Sequence, residues 1–153
     1  MKAAYIFSGQ GAQAVGMGKD LYEQSNAAAA IYNEADTVLG WSISEICFNG
    51  PAEKLTESRY CQPAIYTTSM ACLAAYREKY EGDPDEIVGC AGLSLGEYAA
   101  LACAGFFTFA NGLKLVARRA ELMDEACKNT QGGMAAIIAG DPAVIRAVCE
   151  ECG

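Results

Sequence analysis

The chain has 153 residues, a net charge of −8 and 52% apolar side chains, enough to bury a core as one domain. The acidic balance argues against nucleic acid and anionic membranes as partners, and no apolar run reaches the roughly 18 residues of a membrane span. Eight cysteines at apolar positions such as Cys72, Cys90 and Cys103 read as buried free thiols of a reducing cytoplasm rather than as a secreted disulfide framework.

In chain order, Ala3 to Phe7 is a short apolar strand, followed by the loop Ser8-Gly9-Gln10-Gly11-Ala12-Gln13. Gly9 and Gly11 with Ala14 fit the loose dinucleotide fingerprint, but that motif also needs a second strand with an acid about 20 residues on. Here that region, Asn26 to Leu39, is alanine-rich and helical. The loop can instead lend its amides to a neighbouring loop at the same sheet edge. Helical stretches fill much of residues 17 to 80, broken at Gly40 and at Asn49-Gly50-Pro51, the longest running from about Pro63 to Tyr80. Gly82-Asp83-Pro84 ends it.

The segment that follows carries the chemistry. Glu86 to Ala91 reads as a buried strand and Leu95 to Ala104 as a helix, with Ser94 at the turn between them, flanked by Gly92 and Gly96. A strand-to-helix turn this sharp has no room for side chains on either side of its apex. The pattern is a nucleophile elbow: an exposed serine hydroxyl at a helix N-terminus, with the next amide, that of Leu95, free to stabilise an oxyanion. A serine needs a base, usually histidine, and the chain has no histidine. The base is therefore another residue, with Glu97 the first candidate, or it lies outside these 153 residues.

Thr108 is expected to cap a helix running to about Asn129. On it, Lys114, Arg118, Glu121 and Glu125 share a charged face, whereas Arg119 falls with Leu115, Leu122 and Ala126. A guanidinium on an apolar stripe calls for a carboxylate partner or a structural one. After Gln131-Gly132-Gly133, residues Met134 to Ala139 read as a strand, and Asp141-Pro142 opens a last helix. Cys149 and Cys152 form a C-x-x-C without histidine or a second pair, so no metal is assigned. Two strands before residue 130 are too few for a parallel sheet, so the chain reads as incomplete.

These blocks, in this order, resemble the malonyl-CoA:acyl-carrier-protein transacylase family of acyltransferases. Phe7 to Gln13 with Val15-Gly16-Met17-Gly18 resembles its N-terminal signature, and Gly50 to Leu55 and Gln62-Pro63-Ala64 resemble its next blocks. Gly92 to Tyr98 resembles its elbow, Arg119 with Leu122-Met123 a later segment, and Gly133 to Ile137 the entry to a small subdomain. Ser8 stands where proline is usual and Leu93 where histidine is usual.

The resemblance implies an α/β fold: an incomplete, α/β-hydrolase-like parallel-sheet domain over residues 1–131, and the first βα unit of a ferredoxin-like subdomain over 132–153. It implies a ping-pong transfer of malonyl from coenzyme A to the phosphopantetheine thiol of acyl carrier protein, with no cofactor and malonyl-CoA as substrate. Ser94 is then the nucleophile and the amides of Leu95 and Gln10 the oxyanion hole. Gln62 lines the acyl pocket, and Arg119 pairs with the malonyl carboxylate. The family's base is a histidine of a C-terminal half beyond residue 153, which makes that half a partner, with self-association of the shorter chain as another expectation. A serine hydrolase, thioesterase or patatin-like lipase using the same elbow, and a catalytically inert fragment, are the competing readings.

Overall fold

Strands β1 (Lys2–Phe7) and β2 (Glu86–Gly92) pair in parallel in the computed structural model, which describes residues 2–84, 86–129 and 137–152. Lys2 faces Glu86 and Ala3 faces Ile87, but Ala4 faces Gly89, so Val88 is an extra residue in β2. Beyond this bulge the pairing runs on to Phe7 opposite Gly92. Both strands end level, and the loops that follow them emerge side by side.

Five helices connect the strands: α1 (Lys19–Gln24), α2 (Asn26–Leu39), α3 (Ile43–Asn49), α4 (Ala52–Thr56) and α5 (Ser58–Lys79). Ser25 caps α2 by accepting from the Ala28 amide at 3.0 Å, and Ser42 caps α3 from Glu45 at 3.1 Å. Helix α5 begins five residues before the Pro63 start expected from sequence. The amides of Tyr60 and Cys61 both bond the Glu57 carbonyl, closing a turn before the proline is reached. Residues 61–67 are buried without a break, so this part of α5 is a core helix packed on every side.

After β2 come α6 (Gly96–Cys103), α7 (Phe109–Asn129) and α8 (Pro142–Cys152). Thr108 caps α7 through Asn111, and the Asp141 carboxylate accepts from the Ala143 amide at 2.8 Å with Pro142 in the first helical position, both as expected. Helix α8 buries none of its residues. Ile137 to Ala139 is not strand, contrary to the sequence reading; Met134 to Ala136 and the 131/132 boundary lie outside the described residues.

The core joins α2, α3, α4, α5 and α7 around Tyr32, Ile43, Leu55, Tyr66, Leu113 and Val116. The expected interior thiols are misplaced: Cys72 is exposed and Cys90 and Cys103 half-buried, while Cys47 and Cys61 are the buried ones. Cys72 sits past the fully buried stretch of α5, where the helix has an outer face. All eight thiols are free. Arg77 grips Asp83 through two nitrogens, at 2.7 and 3.0 Å, and Tyr5 donates to the same carboxylate at 2.9 Å. This tie fixes the end of α5 to β1, and Arg77 holds the Asp83 carboxyl below its ordinary range.

Candidate active site

Ser94 sits where β2 turns into α6 and holds a left-handed backbone, with φ of 52°. A non-glycine residue there costs about 1–3 kcal/mol and persists only when its surroundings enforce it. Two glycines show how they do. Any Cβ on Gly92 would run into the Gly96 carbonyl and come within 2.6 Å of the Glu97 nitrogen. A Cβ on Gly96 would come within 2.9 Å of the Ser8 carbonyl oxygen and closer still to that of Phe7. The first turn of α6 is thus wedged against β2 on one side and the end of β1 on the other. All the close atoms are backbone, so neither clash can be relieved by a side-chain rotation. The turn closes on itself through Gly96 and Glu97, whose amides bond the carbonyls of Leu93 and Ser94 at 2.9 and 3.3 Å.

The glycine loop after β1 lies against this turn. A Cβ on Gly9 would lie 2.7 Å from the Leu93 carbonyl oxygen, so Gln10 follows a residue in contact with the elbow. Among the described residues neither the Gln10 nor the Leu95 amide donates to a carbonyl or side chain. Leu95 itself is buried and anchors the turn, while Ser94 is exposed.

Arg119 reaches the serine from α7. Its Nη2 donates to Ser94 Oγ at 2.8 Å, and its Nη1 donates to Gln62 Oε1. The guanidinium carbon lies 5.8 Å from the Tyr98 ring centre, within cation–π range. Gln62 is fully buried, and its Nε2 donates to Gln10 Oε1 at 3.4 Å and to Met123 Sδ at 3.3 Å. Gln10 Nε2 in turn donates to Ser58 Oγ at 3.4 Å. The structure therefore brings together all five residues singled out from sequence: Ser94, Gln10, Leu95, Gln62 and Arg119. Gln62 bonds Arg119 directly and so orients it. Tyr98 and Met123 stood in the segments that carry the resemblance but were given no role, and Ser58 was missed. Met123 lies one helical turn after Arg119, a spacing the sequence displays, whereas nothing local links Ser58 to Gln10.

The helix rotation inferred for Arg119 needs correction. The stripe of Leu115, Leu122 and Ala126 is not the packed face of α7: Leu115 and Leu122 are 50% and 48% exposed. Gly112, Leu113, Val116 and Ala120 are the buried residues, and Arg119 lies at the margin of that face. Its position follows from its partners on α5 and the elbow rather than from the apolar stripe.

Chemically, Ser94 Oγ receives a hydrogen bond from a permanent cation, which favours a negatively charged oxygen. No carboxylate or thiol hydrogen-bonds Ser94 Oγ among the described residues, and Glu97 makes no such contact. Arg119 is a donor and cannot take the serine proton. Among these residues no cluster able to hold a metal occurs, and no helix is long and apolar enough to cross a membrane.

The chain is 42% identical over 150 residues to the malonyl CoA-acyl carrier protein transacylase of Bacillus subtilis (strain 168), covering 98% of this chain and 46% of that protein. It is 39% identical over 148 residues to the enzyme of that name from Escherichia coli (strain K12), covering 97% and 47%. The chain thus spans about half the length of the curated relatives it matches. The solved acyl-carrier-protein-S-malonyltransferase of Bartonella henselae superposes with a TM-score of 0.86 at 36% identity, over 99% of this chain and 48% of that one. A malonyl-transacylase solved in complex with its type II polyketide acyl-carrier protein superposes at 0.83, also at 36% identity, over 97% and 47%. Residues 4–151 match the acyl transferase domain model, and with the serine elbow, its glycine wedge and the facing arginine all inside that span, the chain belongs to the acyl transferase domain family.

Proposed function

We propose that this chain carries the acyl-bearing half of a malonyl-CoA:acyl-carrier-protein transacylase, with Ser94 as the residue esterified during ping-pong transfer. The observation that carries the reading is Arg119 Nη2 at 2.8 Å from Ser94 Oγ, with Gln62 behind it. In a malonyl ester the free carboxylate is three bonds from Oγ, so a guanidinium that touches Oγ in the free protein is within reach of that carboxylate. Its planar fork suits a carboxylate. Ser94 Oγ attacks the thioester carbonyl, its proton passes to the base, and the resulting oxyanion collapses with loss of the coenzyme A thiolate. The amides of Leu95 and Gln10, which have no protein acceptor among the described residues, are assigned to that oxyanion, a contribution typically worth about 10²–10³ in rate. The phosphopantetheine thiol of an acyl carrier protein then attacks the ester, and Ser94 Oγ leaves. The chain contains no histidine, and the resemblance assigns the base to the part of the relatives that it does not span. The reading calls for no cofactor.

The test uses the chain joined to the C-terminal half of the Bacillus subtilis relative. Labelled malonyl-CoA should leave an acyl group on the peptide containing Ser94, and Ser94→Ala should remove it; labelling that survives the substitution overturns the assignment. Arg119→Ala should cut malonyl transfer by about 10–100-fold more than acetyl transfer, because only malonyl leaves a charge unpaired. Equal losses for the two acyl groups would make Arg119 a structural residue.

A further inference from the structure

On another face of α5 and α7, a cleft of about 350 Å³ opens between the end of α2, α4 and these two helices. It is within the size range of small-molecule sites. Its charge runs against that of the chain, which has 19 acidic and 11 basic residues. Lys54 from α4, Arg59 from α5, and Lys114 and Arg118 from α7 all line it. The one carboxylate among the lining residues is Glu121, already held by Arg118 Nη1 at 2.9 Å. Asp124, Glu125 and Lys128 line a separate depression reached past Arg59 and Glu121.

Two of the cations rest against an aromatic ring. The Tyr60 ring carries Lys54 Nζ at 4.8 Å and the Arg59 guanidinium at 5.2 Å from its centre. That ring is itself fixed edge-on against Trp41, with centroids 5.3 Å apart and planes at 88°. An aromatic scaffold thus holds two cations in place, and Lys114 and Arg118, one helical turn apart, face them across the cleft. Four like charges brought together repel one another, and one carboxylate offsets only a quarter of them.

We propose that this cleft binds a small phosphate ester bearing at least two negative charges and a flat ring, of the nucleotide class. The arginine fork and the lysines take the phosphate oxygens. The half-buried Trp41 ring lines the cleft beside them. The same chemistry is presented by a free nucleotide and by the phosphorylated end of a coenzyme A thioester. The inference does not rest on the role of Ser94, since its readout is binding at Trp41 and not acyl transfer.

Trp41 is the only tryptophan of the chain and reports occupancy directly. Its fluorescence is titrated with ADP and with coenzyme A at fixed ionic strength, and equilibrium dialysis with labelled ADP counts sites independently of any optical change. The expected result is saturable binding at one site per chain with a Kd of about a millimolar or tighter. The Lys54→Gln/Arg118→Gln double variant, its fold checked by circular dichroism, should bind about tenfold or more weakly, and Lys128→Gln should bind normally. Comparable affinity for both ligands supports a free nucleotide as occupant, and much tighter binding of coenzyme A supports the thioester's phosphorylated end. No saturable binding by either method up to about 10 mM, or unchanged binding by the folded double variant, overturns the proposal.

Discussion

Ser94 holds its left-handed backbone at φ 52° although glycine would hold it with less strain. The hydroxyl is the group the proposed transfer uses, and the conformation is imposed by the Gly92 and Gly96 contacts on either side. This separates stability from chemistry in a way two substitutions can resolve. Ser94→Ala keeps the Cβ and its strain while losing the hydroxyl. Ser94→Gly loses both. Ser94→Gly should therefore be more stable than Ser94→Ala by about 1 kcal/mol and melt at a higher temperature, although glycine elsewhere usually costs stability relative to alanine. The reverse order in thermal melts would show that the elbow is relaxed. At this scale the sequence was fully informative about the turn, because only glycine tolerates a backbone atom where a Cβ would stand. It was silent about Gln62 bonding Arg119, since those residues meet across two helices 57 positions apart.

Helix α7 shows where periodicity succeeds and where it misleads. Its existence, its Thr108 cap and its end at Asn129 were legible, because a cap followed by a long amphipathic run has few alternatives. Its rotation was not. Two apolar stripes run along it, one through Leu113, Val116 and Ala120 and one through Leu115 and Leu122, and counting cannot say which meets α5. The choice was made by the partner helix, whose Tyr66 hydroxyl reaches the Phe109 carbonyl at 3.2 Å while its ring stacks on that of Phe109. The same limit explains Val88, whose bulge depends on the pairing with β1 and leaves no mark in the sequence. Leucines two positions apart on α7 should respond oppositely to truncation. Leu113→Ala, at a fully buried position, should cost about 2–5 kcal/mol, and Leu115→Ala less than about 1 kcal/mol. Denaturant unfolding of the two variants checks this directly, and a larger cost at Leu115 would mean that the helix packs through its other stripe.

Across the whole molecule, apolar surface collects on the sheet side. Ile6 on β1 is 82% exposed, Leu93 at the elbow 79% and Phe106 after α6 76%, and Val88 at the bulge is more than half exposed as well. The two strands have no other strand beside them among the described residues, so their outer edges present unpaired amides and carbonyls along with these side chains. The helical side is different: α2, α3, α4, α5 and α7 close a continuous core with few polar groups left over. A surface that combines open strand edges with large apolar groups favours association, either edge to edge or face to face. The 153-residue chain should therefore sediment as a concentration-dependent mixture of monomer and larger species over about 1–100 µM. Charges placed on the strands, as in Ile6→Lys with Val88→Lys, should shift it toward monomer without unfolding the helical core, because neither side chain is part of that core. If the association uses the surface that the longer relatives have occasion to cover, adding the C-terminal half of the Bacillus subtilis relative should compete with it. A monomer at every concentration tested would show that these exposed groups are tolerated in water as they stand, and unchanged association of the lysine variant would move the contact away from the sheet.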